Sequence, residues 1–118
     1  MDKIKSHKEL KVWQESMTLV EEIYSLTSFF PKNEQFGLIN QMRRAVISIP
    51  SNIAEGSGRN GKAEFIRFLY ISLGSLSELE TQIEIAYRLK YVEENEVIIN
   101  RVFFIKNMLS RLISKLKE

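Results

Sequence analysis

The chain contains no cysteine and a single histidine, His7, in 118 residues. Without cysteine there is no disulfide framework, no thiolate metal site and no thiol nucleophile. One histidine near a terminus cannot supply a histidine-rich metal site or the Glu-x-x-His pairs of a di-metal bundle. Prolines number two and glycines five, and they cluster. Pro31 and Gly37 flank one break; Gly56, Gly58 and Gly61 mark another; only Pro50 and Gly74 fall inside periodic segments. So few breaks leave long elements, whereas strands are usually short. No apolar run reaches the roughly 18 residues that a membrane span needs. Met1 to Lys8 lacks the apolar stretch of a secretory signal. The expectation is a cytoplasmic protein with no membrane contact, no metal and no cofactor. Hydrophobic residues make up 44% and charged residues 27%. That balance suits a globular chain, and the length suits one domain over residues 1–118.

Four segments carry helical periodicity. The first runs from about Ser6 or Lys8 to Ser28. Leu10, Trp13, Met17, Val20 and Tyr24 form one apolar stripe, and Val12, Leu19, Ile23 and Leu26 form a second beside it. Together they span roughly 200°, wider than the ~100° a single packing face requires. The spacing therefore predicts packing partners on two sides. After Phe29-Phe30-Pro31, Asn33 or a neighbour is placed to cap the second segment, and Glu34 suits its first turn. The second segment runs from about Glu34 to Glu55. Its apolar face is Leu38, Ile39, Met42, Ala45, Val46, Ile49 and Ile53, and Pro50 predicts a kink. A separate stripe of Gln41, Arg44, Ser48, Ser51, Asn52 and Glu55 is rich in uncharged hydrogen-bonding groups. It is expected to be at least partly buried and hydrogen-bonded.

The third segment runs from about Lys62 to Leu89. Its seam is Phe65, Phe68, Leu69, Ser72, Leu76, Leu79, Ile83 and Ala86. Ser72, Gly74 and Ser75 would let a neighbouring helix approach closely, while Tyr70, Ile71 and Ile85 lie off the seam. The fourth follows Lys90-Tyr91-Val92 and runs to about Leu116, with Ile98, Val102, Ile105, Leu109, Leu112 and Leu116 in line and Phe103 and Phe104 elsewhere on the wheel. Four amphipathic helices with short connections predict an all-α fold: an antiparallel up-and-down four-helix bundle with a kinked second helix.

Several patterns resemble chemistry and resolve into something plainer. Gly56 to Gly61 matches G-x-G-x-x-G, and Gly56 to Lys62 matches G-x-x-x-x-G-K. Both motifs require a preceding strand, and a helix precedes here. Ala63 stands where a P-loop needs a hydroxyl for magnesium. A loop, with Asn60 capping the next helix, accounts for the same residues. Glu78, Glu80 and Glu84 share one helix without convergent partners, and a pair such as Glu84 with Arg88 is the expected use. No catalytic constellation emerges. Trp13 and the other aromatics could stack bases, but their helical spacing points to core or subunit interface.

Charge is segregated along the chain although the net charge is only +2. Residues 1–11, 43–67 and 97–118 carry +2, +3 and +4, whereas 12–42 and 68–96 carry −3 and −4. A segregated basic surface attracts phosphate backbones. Candidate contacts are Arg43, Arg59, Lys62 and Arg67, with Arg101, Lys106, Arg111 and Lys115 as a second set. Arg44 is expected to find a structural partner, Glu55 or another carboxylate of the polar stripe.

Three stretches carry a family resemblance: Leu10-Lys-Val-Trp-Gln-Glu; Phe30-Pro31 through Gln41-x-x-Arg44-Ala45 and Ser51-Asn-Ile-Ala-Glu-Gly56 to Arg59; and Phe65-Ile-Arg-Phe-Leu-Tyr70 with Gly74-Ser-Leu-x-Glu-Leu-Glu-Thr81. They resemble the bacterial four-helix-bundle family named for proteins encoded in intervening sequences of 23S ribosomal RNA genes. That family is similar to the accessory variability protein of diversity-generating retroelements, a pentameric barrel that contacts a reverse transcriptase and nucleic acid. The resemblance implies a homopentamer, association with RNA or DNA, and a reverse transcriptase or another protein as a further partner. It implies no enzymatic role. The competing expectation is a structural or protein–protein interaction module without a nucleic-acid ligand.

Overall fold

The computed structural model describes residues 6–118. Met1 to Lys5, part of the basic first stretch, lie outside the described residues. Four helices form: α1 (Lys11–Thr27), α2 (Leu38–Ser57), α3 (Lys62–Arg88) and α4 (Glu96–Leu116), with short 3-10 turns at His7–Glu9 and Lys32–Glu34. No strand occurs among the described residues. Each helix packs against the next, α4 returns to pack on α1, and no contact crosses either diagonal. This is the up-and-down bundle that the periodicity predicts. The particle measures 47 × 25 × 19 Å. The 27 residues of α3, at about 1.5 Å per residue, account for most of the long axis.

The core follows the apolar stripes. Leu19, Ile23, Met42, Val46, Ile49, Ile53, Leu69, Leu76, Leu79, Ile105 and Leu109 are fully buried. Truncating any of these to alanine removes packing worth about 2–5 kcal/mol. The width of the α1 face is used mostly within the chain, because α1 meets both α2 and α4. The stripe of Leu10, Trp13, Met17, Val20 and Tyr24 stays partly open, with Met17 and Tyr24 exposed. At the end of α4 the seam shifts by one position: Ile113 is buried while Leu112 and Leu116 are half-buried. Tyr70, Ile71, Ile85, Phe103 and Phe104 are all exposed, as their off-seam spacing requires.

The helix ends depart from the expected caps. Helix α2 begins at Leu38, four residues later than Glu34, with Gly37 at the cap position and Asn33 taking no part. Glu34 reaches forward instead: its Oε1 accepts from the Leu38 amide at 3.3 Å and its Oε2 accepts from the Tyr91 hydroxyl at 2.6 Å. One carboxylate thus caps α2 and fastens it to the α3–α4 connection. Asn60 does not cap α3; Gly61, at φ +105°, occupies that position. Lys90 ends α3 at φ 63°, a left-handed turn that glycine adopts more cheaply. Helix α2 runs unbroken through Pro50, which is buried and leaves the helix assignment continuous. Ser6 caps only the first 3-10 turn, and α1 itself starts at Lys11.

The closest approach is between α2 and α3. Ser72 Oγ, fully buried, donates to the Ile49 carbonyl at 2.9 Å, and the Ser48 and Ser75 hydroxyls lie 2.9 Å apart. Small side chains permit this contact, as expected for Ser72 and Ser75. Gly74 takes no part, since a Cβ there would meet nothing within 4 Å. The glycine that matters is Gly56, where a Cβ would lie 2.7 Å from the Phe68 Cβ and 3.1 Å from a Phe65 ring carbon. Replacing Gly56 by alanine should destabilise the fold by about 1–3 kcal/mol through overpacking, despite alanine's better helix propensity. Urea denaturation measures this, and an unchanged or raised midpoint would refute it.

The Glu34 clasp generates a pH dependence. The Tyr91 hydroxyl first, and the Leu38 amide second, hold the Glu34 carboxyl below its ordinary value of 4.5. A carboxyl with a depressed folded-state value stabilises the fold above its unfolded value, and that contribution is lost as pH falls through the folded one. Wild-type stability should therefore fall on acidification from about pH 6 to about pH 3, and Tyr91→Phe should fall less over the same range. Parallel acid limbs in thermal melts of the two proteins would contradict this.

Candidate nucleic-acid interface

Antiparallel packing places the start of α1, the end of α2, the start of α3 and the end of α4 at one end of the bundle. The hydrogen bond from Lys117 Nζ to the Tyr70 hydroxyl, 2.8 Å, fixes that proximity between α4 and α3. Lys8, Lys11, Arg59, Lys62 and Arg67 are exposed around this end, with the carboxylates of Glu9, Glu55 and Glu64. Arg111, Lys115 and Lys117 are exposed on the last turns of α4, which the Lys117–Tyr70 and Lys106–Glu80 contacts set opposite the middle turns of α3. Cations outnumber carboxylates in both places.

Three of the eight candidate contacts, Arg59, Lys62 and Arg67, belong to this end, and Arg111 and Lys115 to the last turns of α4. Lys62, Arg111 and Lys115 make no ion pair among the described residues. Arg59 pairs with Glu55 at 2.8 Å and Arg67 with Glu64 at 2.8 Å. The hydrogen bond to Glu64 first, and its charge, raise the Arg67 guanidinium above its ordinary value; the Arg67 contact likewise holds Glu64 low. Both arginines also lie over the Phe68 ring, at 5.2 and 4.5 Å. Exposed pairs one helical turn apart are weak and screened by salt, so either guanidinium can exchange its carboxylate for a phosphate at little cost.

The other three candidates are placed elsewhere, each engaged by the fold. Arg43 stands near the opposite end, where its Nε donates to Thr27 Oγ1 at 2.9 Å, a terminal nitrogen reaches the Tyr24 carbonyl at 3.3 Å, and the guanidinium covers the Tyr24 ring. It closes the C-terminus of α1. Arg101 is half-buried between Glu22, 2.6 Å away, and Glu15, 2.9 Å away, and it joins α4 to α1. The hydrogen bond to Glu22 is the main cause of its raised value. Lys106 meets Glu80 at 3.0 Å across α3 and α4. Sequence reasoning passed over Lys8, Lys11 and Lys117 as contacts; their common signal was the convergence of helix ends, which needs the topology.

The polar stripe of α2 divides along its length. Ser48 and Asn52 are half-buried and linked, with Asn52 Nδ2 donating to the Ser48 carbonyl at 2.8 Å and to Ser48 Oγ at 2.9 Å. Gln41, Arg44, Ser51 and Glu55 are exposed. Arg44 does not pair with Glu55, which is taken by Arg59, and makes no ion pair among the described residues. Arg44 and Glu55 stand 11 positions apart on α2, roughly 16 Å of helix, which explains the correction. Instead Arg44 lines a groove between α2 and α3 with Phe36, Asn40, Gln41, Ser48, Ser75 and Glu78.

No group of three or more metal-ligating side chains occurs among the described residues. Nor is any described helix long and apolar enough to cross a membrane. Glu84 pairs with Arg88 at 3.0 Å and Glu80 with Lys106 at 3.0 Å.

A four-helix bundle with a basic end and a polar α2–α3 groove is the class of protein these features define. The chain belongs to the 23S rRNA-intervening sequence protein family, whose model matches residues 8–111. The fold is also similar to that of a solved protein of unknown function from the S23 ribosomal protein family of Bacteroides thetaiotaomicron VPI-5482. The two share 26% identity and superpose with a TM-score of 0.79 over 87% of this chain and 95% of that one. No curated protein matches the chain.

The half-buried Asn52 network gives a direct test of the structural role of the stripe. Asn52→Ala removes both bonds to Ser48 and should cost about 1 kcal/mol. Ser51→Ala, in the exposed part, should stay within ~0.5 kcal/mol of wild type. Chemical denaturation of the two variants measures the difference, and equal losses would place no special weight on the network.

Proposed function

We propose that this chain is a non-catalytic, homo-oligomeric helical bundle that associates with RNA or DNA through phosphate contacts at its basic end. The observation that carries this reading is the excess of exposed cations at the α2–α3 end and on the last turns of α4, with Lys62, Arg111 and Lys115 outside any ion pair among the described residues. One subunit offers too few cations for tight binding alone. A ring repeats the patch and raises the effective concentration of neighbouring sites. Support for assembly comes from apolar residues left open on separate edges. Phe103 is 63% exposed on α4, beside Val97 and Phe104. Trp13, Met17, Val20 and Ile47 line a groove between α1 and α2. Two unlike patches on different edges suit a head-to-tail interface, which forms a ring when the rotation per subunit closes. Five subunits is the number that the family resemblance implies.

The same apolar edges support a second reading, a structural or protein–protein interaction module without a nucleic-acid ligand.

Titration of the protein with mixed-sequence RNA and DNA at low salt separates the two. Under the first reading, binding weakens steeply with salt because each phosphate contact releases condensed counterions. Arg59→Ala combined with Lys62→Ala should lower affinity for all sequences alike and flatten the salt slope by about one unit per lost contact. Native mass spectrometry should show the assembly intact in that variant. An absence of binding at low salt would favour the interaction module, and a stable monomer would defeat the oligomer.

A further inference from the structure

We propose that the α2–α3 groove is a track for single-stranded nucleic acid, in which Phe36 stacks a base and Arg44 holds a phosphate. This inference rests on the nucleic-acid reading above and specifies a strand and a direction for it. Gln41, Arg44, Ser48, Asn52 and Glu55 recur at three- and four-residue spacings along one line of α2. That line begins in the groove and ends at Glu55, which Arg59, just past the end of the helix, meets at 2.8 Å. Arg44 and Glu55 are 11 positions apart, roughly 16 Å of helix. The uncharged Ser48 and Asn52 lie between Arg44 and the Glu55–Arg59 pair.

The groove has an open volume of about 390 Å³. Ala45, Ser48 and Ser75 line it with small side chains, which leaves room for a flat ring. Its rim carries the groups that read a base: the carboxamides of Asn40 and Gln41 and the carboxylate of Glu78. Glu78 makes no ion pair among the described residues. Phe36, at the mouth, is 90% exposed. A ring this open in water gains by stacking on a flat partner, and every base presents one. A duplex keeps its bases stacked inside and cannot offer them to Phe36, whereas a single strand can splay them.

Fluorescence anisotropy of the full chain tests this with one labelled RNA of mixed sequence, used single-stranded and annealed to its complement. The single strand should bind tighter. Phe36→Ala and Arg44→Ala should each weaken the single strand by at least about fivefold, the lower end for a base-stacking contact, and leave the duplex unchanged. Arg59→Ala with Lys62→Ala should weaken both probes. Both tested residues are exposed, so the variants should retain wild-type melting. If only the Arg59/Lys62 variant loses affinity, or if the Phe36 and Arg44 variants lose both probes equally, the basic-end reading stands and the track is overturned. If neither probe binds wild type, both readings fail together. If Phe36→Ala or Arg44→Ala breaks the assembly in native mass spectrometry, the groove is a contact between copies and the track is overturned.

Discussion

The tight seam between α2 and α3 governs the rest of the bundle. Two helices can approach this closely only where side chains are absent or small, and here Gly56, Ser72 and Ser75 provide the space. The contact is not merely apolar. Ser72 is buried, and its hydroxyl would be costly without a partner; the Ile49 carbonyl supplies one. That bond fixes the register of α3 on α2. The register in turn brings Ser75 to Ser48, sets the Phe68 ring under Arg59 and Arg67, and opens a polar groove further along the same edge.

The same antiparallel register turns a pattern in the chain into a pattern in space. Charge alternates in blocks along the sequence, and the chain reverses within the blocks: the α1–α2 turn lies in 12–42, the α2–α3 turn in 43–67 and the α3–α4 turn in 68–96. An up-and-down path folds alternate blocks onto opposite ends. A net charge of +2 therefore understates the local field at the basic end, because the compensating carboxylates sit mostly elsewhere. Association with a polyanion depends on that local field rather than on the total.

The fold also withdraws charges from the surface. Arg101 lies between two α1 carboxylates, and Arg43 satisfies the last carbonyls of α1. Both are held by several acceptors at once, so releasing either would strand partners that water reaches poorly. Arg59 and Arg67 differ, since each shares one exposed carboxylate within its own helix end. The distinction between structural and available arginines lies in how many partners each side chain has and how open they are. Residue type says nothing of it.

The sequence by itself determined the number of helices, their approximate spans, the buried stripes and the apolar residues left outside. Each of these follows from period alone, because a 3.6-residue repeat fixes which side chains share a face. Family membership was legible too, through the Ser-Asn-Ile-Ala-Glu-Gly stretch. Only the tertiary structure decided the caps. Asn33 and Asn60 were reasonable caps by residue type, yet Glu34 does that work for α2 because Tyr91, 57 positions away, holds its carboxylate in place. The tertiary structure also decided that Gly56 rather than Gly74 is the close contact, and that Glu55 serves Arg59 instead of Arg44. It sorted the candidate cations in the same way. Spacing along one helix reports which face a side chain is on, whereas partners, depth and the meeting of helix ends depend on residues far apart in the chain.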